Sequence, residues 1–196
     1  TRNEALAIWP KNRSKGGRRW TTNNLRSALL TDITGALNFQ PGEVPQWTLG
    51  FGFEDAEIQI ARGAPYAQSV SGFASYSDGA FGVSIGEGHI PAAEGGRIDI
   101  AGTTVEIPTV QVKRSPMTVA FESNSSITAV LSVLDQSPLQ LMKKADLPVA
   151  LADGRSRMQG TVTFPRVNPI PPSAMEYNIE AGLTRVASTR LVPDRT

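Results

Sequence analysis

The feature that most constrains the fold of this chain is an alternation of apolar and polar residues with a period of two. In the segment QWTLGFGFED, for example, Leu49, Phe51 and Phe53 fall on one side of an extended chain, because successive side chains of a β-strand point to opposite faces. Similar runs recur roughly every 8–12 residues, and turn signals such as SDG at 77–79 separate them. This spacing predicts a mainly β protein built as an antiparallel meander.

Two segments interrupt the alternation and carry apolar residues at helical spacing. The first, at 21–33, predicts one or two helical turns. The second, at 125–147, predicts the strongest helix, which Asn124 or Ser125 caps and Pro138 ends, and a second short helix follows. The apolar stripe of the predicted helix comprises Ile127, Val130, Leu131 and Leu134.

Composition excludes several kinds of site. The 196 residues include no cysteine and a single histidine, His89, so thiolate metal sites, disulfides and a cysteine nucleophile are excluded. His89 lies beside a Gly-rich turn, and we predict an exposed turn residue. Glu54 and Asp55 have the side chains of a catalytic carboxylate pair, but neighbouring residues of a strand point to opposite faces and would not converge on one substrate. We therefore interpret this pair as a hairpin turn. Because HExxH, GxSxG and Walker-type motifs are also missing, we predict a protein that is not an enzyme and uses no cofactor or metal.

A basic stretch near the start of the chain raises the question of an anionic partner. Its cations are Lys11, Arg13, Lys15, Arg18 and Arg19. The formal net charge is only +1, whereas a nucleic-acid-binding domain usually spreads a larger excess over one face, so we predict no nucleic-acid partner. The simplest interpretation is a solvated loop within a connecting segment, with Trp20 and Leu25 docked on the sheet. Attraction to anionic headgroups or phosphates is the alternative.

Short motifs along the chain, taken in order, resemble one family. They are IWP (8–10), RRWTTNNL (18–25), LGFGFEDAEIQI (49–60), GFASYSDGAFGVSIGEGHI (72–90), GGRIDIAGTTVEIPTVQVK (95–113), VLDQSPLQLMKKADL (133–147) and GRSRMQGTVTFP (154–165). Their order is similar to that of the AsmA-like superfamily, in its YhdP-type branch. The most specific pieces are the WP…RxW…NL opening and the LDxxPLxL segment after the predicted helix.

The resemblance implies a large periplasmic protein of the Gram-negative envelope, tethered to the inner membrane by a segment outside this chain. The resemblance also implies a bridge-like lipid-transfer protein. In such proteins a long, curved antiparallel sheet forms an open groove with an apolar concave face. The implied partners are phospholipid acyl chains, and the inner and outer membranes that the parent protein connects. We expect a β-groove segment at 1–166, a Pro-rich linker at 167–174, and a further strand at 175–196 that begins the next part of a longer chain.

On this interpretation, the apolar sides of the predicted strands line the groove and form the predicted lipid-contact residues. These are Leu49, Phe51, Phe53, Ile58, Ile60, Phe81, Val83, Ile85, Ile98, Ile100, Val105, Ile107, Met117, Val119, Phe121, Met158, Val162 and Phe164. Ordinary core residues of a closed β-sandwich would alternate in the same way. The alternative is therefore a structural β-sandwich module of an envelope scaffold that carries no cargo.

Overall fold

The computed structural model describes residues 2–8, 15–42, 45–60, 64–136, 140–167 and 170–188. Within them, the helices are α1 (Arg2–Ile8), α2 (Lys15–Asn24), α3 (Ile127–Leu134) and α4 (Leu141–Lys144). The strands are β1 (Leu25–Asn38), β2 (Gln46–Gln59), β3 (Tyr66–Ser77), β4 (Ala80–Pro91), β5 (Arg97–Asp99), β6 (Thr104–Ile107), β7 (Pro116–Ser126), β8 (Asp153–Pro165) and β9 (Glu176–Ala187).

These nine strands form one antiparallel sheet, so the prediction of a mainly β fold with few short helices is confirmed. The strand order is β1-β2-β3-β4-β5-β7-β8-β9, so each strand on this path pairs with strands close to it in sequence. The short strand β6 lies off this path and, like β5, pairs with both β4 and β7. The sheet is therefore a meander with β1 and β9 at its edges.

The hairpin between β3 and β4 has the tight turn that the sequence predicts. Ser77 pairs with Ala80, and the two residues between them, Asp78 and Gly79, have φ angles of 48° and 89°. Two-residue hairpins favour positive φ at both central positions, where the backbone twist matches that of the strands. Asp-Gly suits this conformation because glycine has no Cβ and aspartate tolerates the left-handed region.

The prediction of a hairpin turn at Glu54 and Asp55 is wrong. Both residues lie inside β2, which continues for 14 residues. Asp55 has a φ of 46°, and the pairing of β2 with β3 shifts register between Phe53 and Ala56. The doublet therefore belongs to a β-bulge, which inserts an extra residue into a continuing strand.

The helical prediction for 21–33 is also largely wrong. Helix α2 ends at Asn24, and β1 begins at the next residue and pairs along β2. This pairing shifts register three times, and Asp32, with a φ of 50°, lies at one of the shifts. Such irregularities disturb the period of two, which makes a bulged strand difficult to recognise from its sequence.

The basic stretch is not simply a loop. Lys15, Arg18 and Arg19 belong to α2, whereas the segment 9–14 lies outside the described residues. Trp20, which we predicted to dock on the sheet, leaves 49% of its surface exposed. Leu25 is half-buried and pairs with Ile58 at the start of β1.

Helix α3 follows β7 without a loop, and a serine side chain caps it. Ser126 accepts a hydrogen bond from the Ala129 backbone N–H (3.0 Å) and donates one to the carbonyl oxygen of Gly95 (2.7 Å). The cap therefore lies one residue after the predicted candidates, Asn124 and Ser125.

The predicted apolar stripe of α3 is only partly correct. The buried residues of the helix are Ile127, Ala129 and Ser132. Pro138 lies outside the described residues.

Replacing Ser126 with alanine should lower the free energy of unfolding by about 1 kcal/mol, because an N-cap bond to the first helical turn is lost. The additional bond to Gly95 places the same hydroxyl between the helix and the β4–β5 turn. The loss in free energy of unfolding should therefore exceed that of an N-cap bond alone. Urea denaturation of Ser126→Ala measures it, with the exposed Ser75→Ala on β3 as the control. Equal midpoints for the two variants would contradict the prediction.

The Pro-rich segment connects two strands of the same sheet. Strand β8 ends at Pro165, and a single 3-10 turn at Pro172–Ala174 precedes β9. Strand β9 then pairs along β8, from Thr163 opposite Glu176 to Asp153 opposite Ala187. Proline donates no backbone hydrogen bond, so a Pro-rich connection is poorly suited to the interior of a sheet.

Candidate functional site

The strand register places the predicted lipid-contact residues of the strands on one face of the sheet. Directly paired residues of neighbouring strands point to the same face. Phe53 pairs with Gly72, and Gly72 with Ile85. In the other half, Val105 pairs with Val119, and Val119 with Val162. The alternation along each strand extends these rows.

We call this side of the sheet the apolar face. From the predicted set it contains Leu49, Phe51, Phe53, Ile58, Phe81, Val83, Ile85, Ile98, Val105, Ile107, Met117, Val119, Phe121, Met158, Val162 and Phe164. The two others lie just beyond strand ends, Ile60 after β2 and Ile100 after β5. The register thus places on one face residues that lie more than a hundred positions apart in the sequence.

Burial is uneven among the predicted residues. Phe53, Ile85, Ile98 and Ile100 are buried, whereas Ile60 is 54% exposed. The remaining predicted residues are half-buried. Most of the set therefore retains some apolar surface that the described part of the chain does not cover.

Helix α3 takes part in covering one region of the apolar face. Ala129, which is fully buried, belongs to the same core cluster as Phe53, Val70 and Ile98, and Val133 packs against that cluster. The cluster draws its strand residues from β1 to β4 and from the β5 region. This half of the sheet therefore has a packed core, and α3 borders that core at one end, where the helix itself packs mainly against β8, β7 and β5.

The face continues over β7, β8 and β9 outside that cluster. Residues such as Met117 and Val162 are half-buried there. On the edge strand β9, Tyr177 is 73% exposed and Leu183 is 53% exposed, and their pairing with Val162 and Ser156 places them on the same face. Edge residues of this kind are missing from the predicted set, although the alternation in MEYNIEAGL was a usable signal for them.

The opposite face of the sheet is largely polar. The hydroxyls of Thr118 and Thr163 lie 3.0 Å apart in one hydrogen bond, and Gln159 Nε2 donates to Glu180 Oε2 (3.1 Å). These residues alternate with the apolar ones along β7, β8 and β9. Exposed apolar residues also occur there, including Phe73. The sheet is thus amphipathic across its thickness, as the alternation predicts.

The groups weighed for catalysis lie away from the apolar face. The bulge at Asp55 brings Glu54, Asp55 and Glu87 around a shallow depression of about 460 Å³ on the polar side. His89 lies within β4, half-buried and paired with Asp99, so its prediction as an exposed turn residue is wrong. Among the described residues, no group of three or more His, Asp or Glu side chains has a geometry that could hold a metal ion.

Comparison of the chain with protein-family models, with curated proteins and with solved structures gives no match. No helix in the described ranges is both long enough and apolar enough to cross a membrane.

Proposed function

We propose that this chain is a non-enzymatic lipid-binding segment that holds phospholipid acyl chains against the apolar face. The observation that supports this most directly is the continuity of that face across the sheet, with partly or fully exposed apolar side chains at both edges. Ile33 and Leu37 on β1 are 59% and 57% exposed, and Tyr177 lies at the other edge. Large contiguous apolar patches on proteins commonly mark sites of interaction with proteins, ligands or membranes.

The dimensions of the sheet suit an acyl chain. Adjacent strands lie roughly 4.8 Å apart, so the path from β1 to β9 gives a face on the order of 34 Å wide. Each lipid CH₂ group that leaves water contributes about 0.8 kcal/mol. Binding of this kind needs no set of converging polar groups, in agreement with the sparse polar chemistry on this face.

In the parent protein, we propose that such a face forms part of an open groove for phospholipid between the inner and outer membranes of a Gram-negative envelope. The periplasmic location and the tether to the inner membrane rest on the resemblance to the AsmA-like superfamily. The membrane partners would be contacted by other parts of the parent protein, and this segment would supply a length of the path.

A structural role in an envelope scaffold is the second candidate. The observation that favours it is the exposed edge strand β9, on which every residue is exposed. An unpaired edge is a template for pairing with another strand. In that case a second sheet or a neighbouring chain would cover the apolar face, since the described residues form only one sheet.

Native mass spectrometry distinguishes the two candidates. The chain should be purified without detergent from a Gram-negative host, and its lipids extracted in parallel. We expect co-purified phospholipid at a reproducible stoichiometry, because acyl chains would cover apolar surface that otherwise faces water. A lipid-free mass that stays unchanged after incubation with phospholipid vesicles would contradict lipid binding and support the scaffold module.

A further inference from the structure

At one end of the β7–β8 pair, the apolar face meets a polar group of residues. Met117 pairs with Phe164 on that face, and Pro116 then pairs with Pro165. One position further, the backbone N–H of Arg166 donates to the carbonyl oxygen of Ser115 (3.3 Å). Because side chains alternate along paired strands, Ser115 and Arg166 continue the row of Met117 and Phe164.

The guanidinium of Arg166 organises the neighbouring loop. Its Nη2 donates to the carbonyl oxygens of Thr109 (3.2 Å), Val110 (3.0 Å) and Val112 (3.0 Å). These contacts use only one of the three guanidinium nitrogens. Its Nε is buried and has no hydrogen-bond partner within the described ranges.

Among the described residues, no carboxylate forms an ion pair with Arg166. Arg166 is half-buried, and the exposed Lys113 and Arg114 lie in the loop that it holds. The ion pairs Arg26–Glu57 and Arg157–Glu122 lie elsewhere. Three cations therefore lie in this loop and at the strand end that holds it, and one of them, Arg166, is partly withdrawn from water, where an unpaired charge is costly.

A buried hydroxyl in the same place also lacks a partner. Ser115 is 3% exposed, and its Oγ makes no hydrogen bond to any described residue. Buried polar atoms are nearly always hydrogen-bonded, and an unsatisfied one commonly indicates a water or an ion that completes the site. Ser115 Oγ and the Arg166 guanidinium together offer unused donors beside an excess of positive charge.

We propose that Ser115 and Arg166, with Lys113 and Arg114, form an anion site that takes the phosphate of the lipid whose acyl chains lie on the apolar face. This inference rests on the proposed lipid-binding function and identifies the headgroup end of the path. Arginine matches phosphate oxygens in geometry and charge, and lysine adds a mobile positive charge. Met117 and Phe164 would then contact the first methylene groups next to the headgroup.

The test uses variants that leave the Arg166 contacts with the loop intact. Lys113→Gln with Arg114→Gly removes two exposed charges, and glycine suits the φ of 69° at position 114. Ser115→Ala removes the buried hydroxyl. The control is Lys143→Gln with Lys144→Gln, which removes the same charge from exposed positions on α4.

Binding of each protein should be compared for phosphatidylglycerol vesicles, for diacylglycerol with the same acyl chains, and for inorganic phosphate. We expect the Lys113/Arg114 variant to lose about tenfold in phosphatidylglycerol affinity, as for the loss of charge-assisted contacts to a phosphate. Its retention of diacylglycerol should not change. Ser115→Ala should also weaken phosphatidylglycerol binding while keeping or raising thermal stability, because it removes an unsatisfied buried hydroxyl.

The alternative outcomes separate this proposal from the proposed function. Equal binding of phosphatidylglycerol and diacylglycerol by all variants would overturn the headgroup site and leave lipid binding intact. Binding of inorganic phosphate without retention of any lipid would show that the site takes the free ion, and it would overturn both proposals. An equal loss of phosphatidylglycerol affinity in the Lys143/Lys144 control would show that net charge alone explains the effect, and it would overturn the site.

Discussion

Gly72→Ala should lower the free energy of unfolding by about 3 kcal/mol, the upper end of the usual cost of overpacking. Gly72 lies on the apolar face between Phe53 and Ile85. A Cβ at this position would lie against the carbonyl oxygen of Ser84 and 2.9 Å from Phe53 Cζ. The carbonyl belongs to a paired strand and cannot move without breaking the ladder, so the strain falls on two strands at once.

The matched control for Gly72→Ala is Gly82→Ala on the adjacent strand β4. A Cβ there would lie 3.5 Å from Ser75 Oγ, which is ordinary contact. Alanine also restricts the unfolded chain, so this variant should be neutral or stabilised by up to about 1 kcal/mol. Urea denaturation of both variants provides the measurement. A loss below about 1 kcal/mol for Gly72→Ala would contradict the close approach of β3 and β4 at this position.

Val162→Asp should abolish phospholipid loading while the protein stays folded. Val162 lies on the apolar face between Val119 and Tyr177 and outside the core cluster. A carboxylate there is able to keep its water in the lipid-free protein, but it would lose that water beneath an acyl chain, at a cost of several kcal/mol. Phe51 is a poorer choice, because it packs against the core cluster, and a charge there would disturb folding as well.

The control for Val162→Asp is Thr161→Asp, one position earlier on the same strand. Thr161 is exposed and pairs with Ala120 and Asn178 on the polar face. Quantitative lipid extraction, with circular dichroism to verify folding, should show loading in Thr161→Asp and none in Val162→Asp. Normal loading in Val162→Asp would place bound lipid elsewhere, and unfolding of this variant would indicate a closed core.

The sequence predicts which residues share a face better than it predicts where strands end. Phe53 occupies an odd position and Ile58 an even one, and we interpreted Glu54 and Asp55 between them as a hairpin turn. In the structure, the bulge at Asp55 adds one residue to the strand, so the side chains of Phe53 and Ile58 both lie on the apolar face. A change of parity within an apolar run is compatible with a bulge as well as with a turn.

The strand β1 shows why the helical prediction failed. Leu25, Ala28 and Leu29 have a spacing that is typical of a helix. In the structure, register shifts lie on either side of Ser27, and Leu25 and Ala28 belong to the core region, whereas Leu29 pairs with Glu54 and is 52% exposed. Pairing along β2 determines the conformation here, and it is a long-range interaction that local periodicity does not contain.

The cluster around Arg166 could not be predicted for a different reason. Arg166 contacts carbonyl groups more than fifty positions earlier in the chain, at Thr109, Val110 and Val112. Nothing in the local sequence of either segment marks the other as its partner. Only the pairing of β7 with β8 brings them to the same end of the sheet.

The meander order also determines how this protein distributes its stability. Each strand has partners only among its near neighbours in sequence, so the sheet behaves as a one-dimensional array of local interfaces. Among the described strands, β9 has a partner on one side only, and all its residues are exposed, so opening of the sheet should cost least there. An array of this kind changes length by whole strands while the remaining interfaces stay intact. The number of strands therefore sets the extent of the apolar surface, without any redesign of the strands already present.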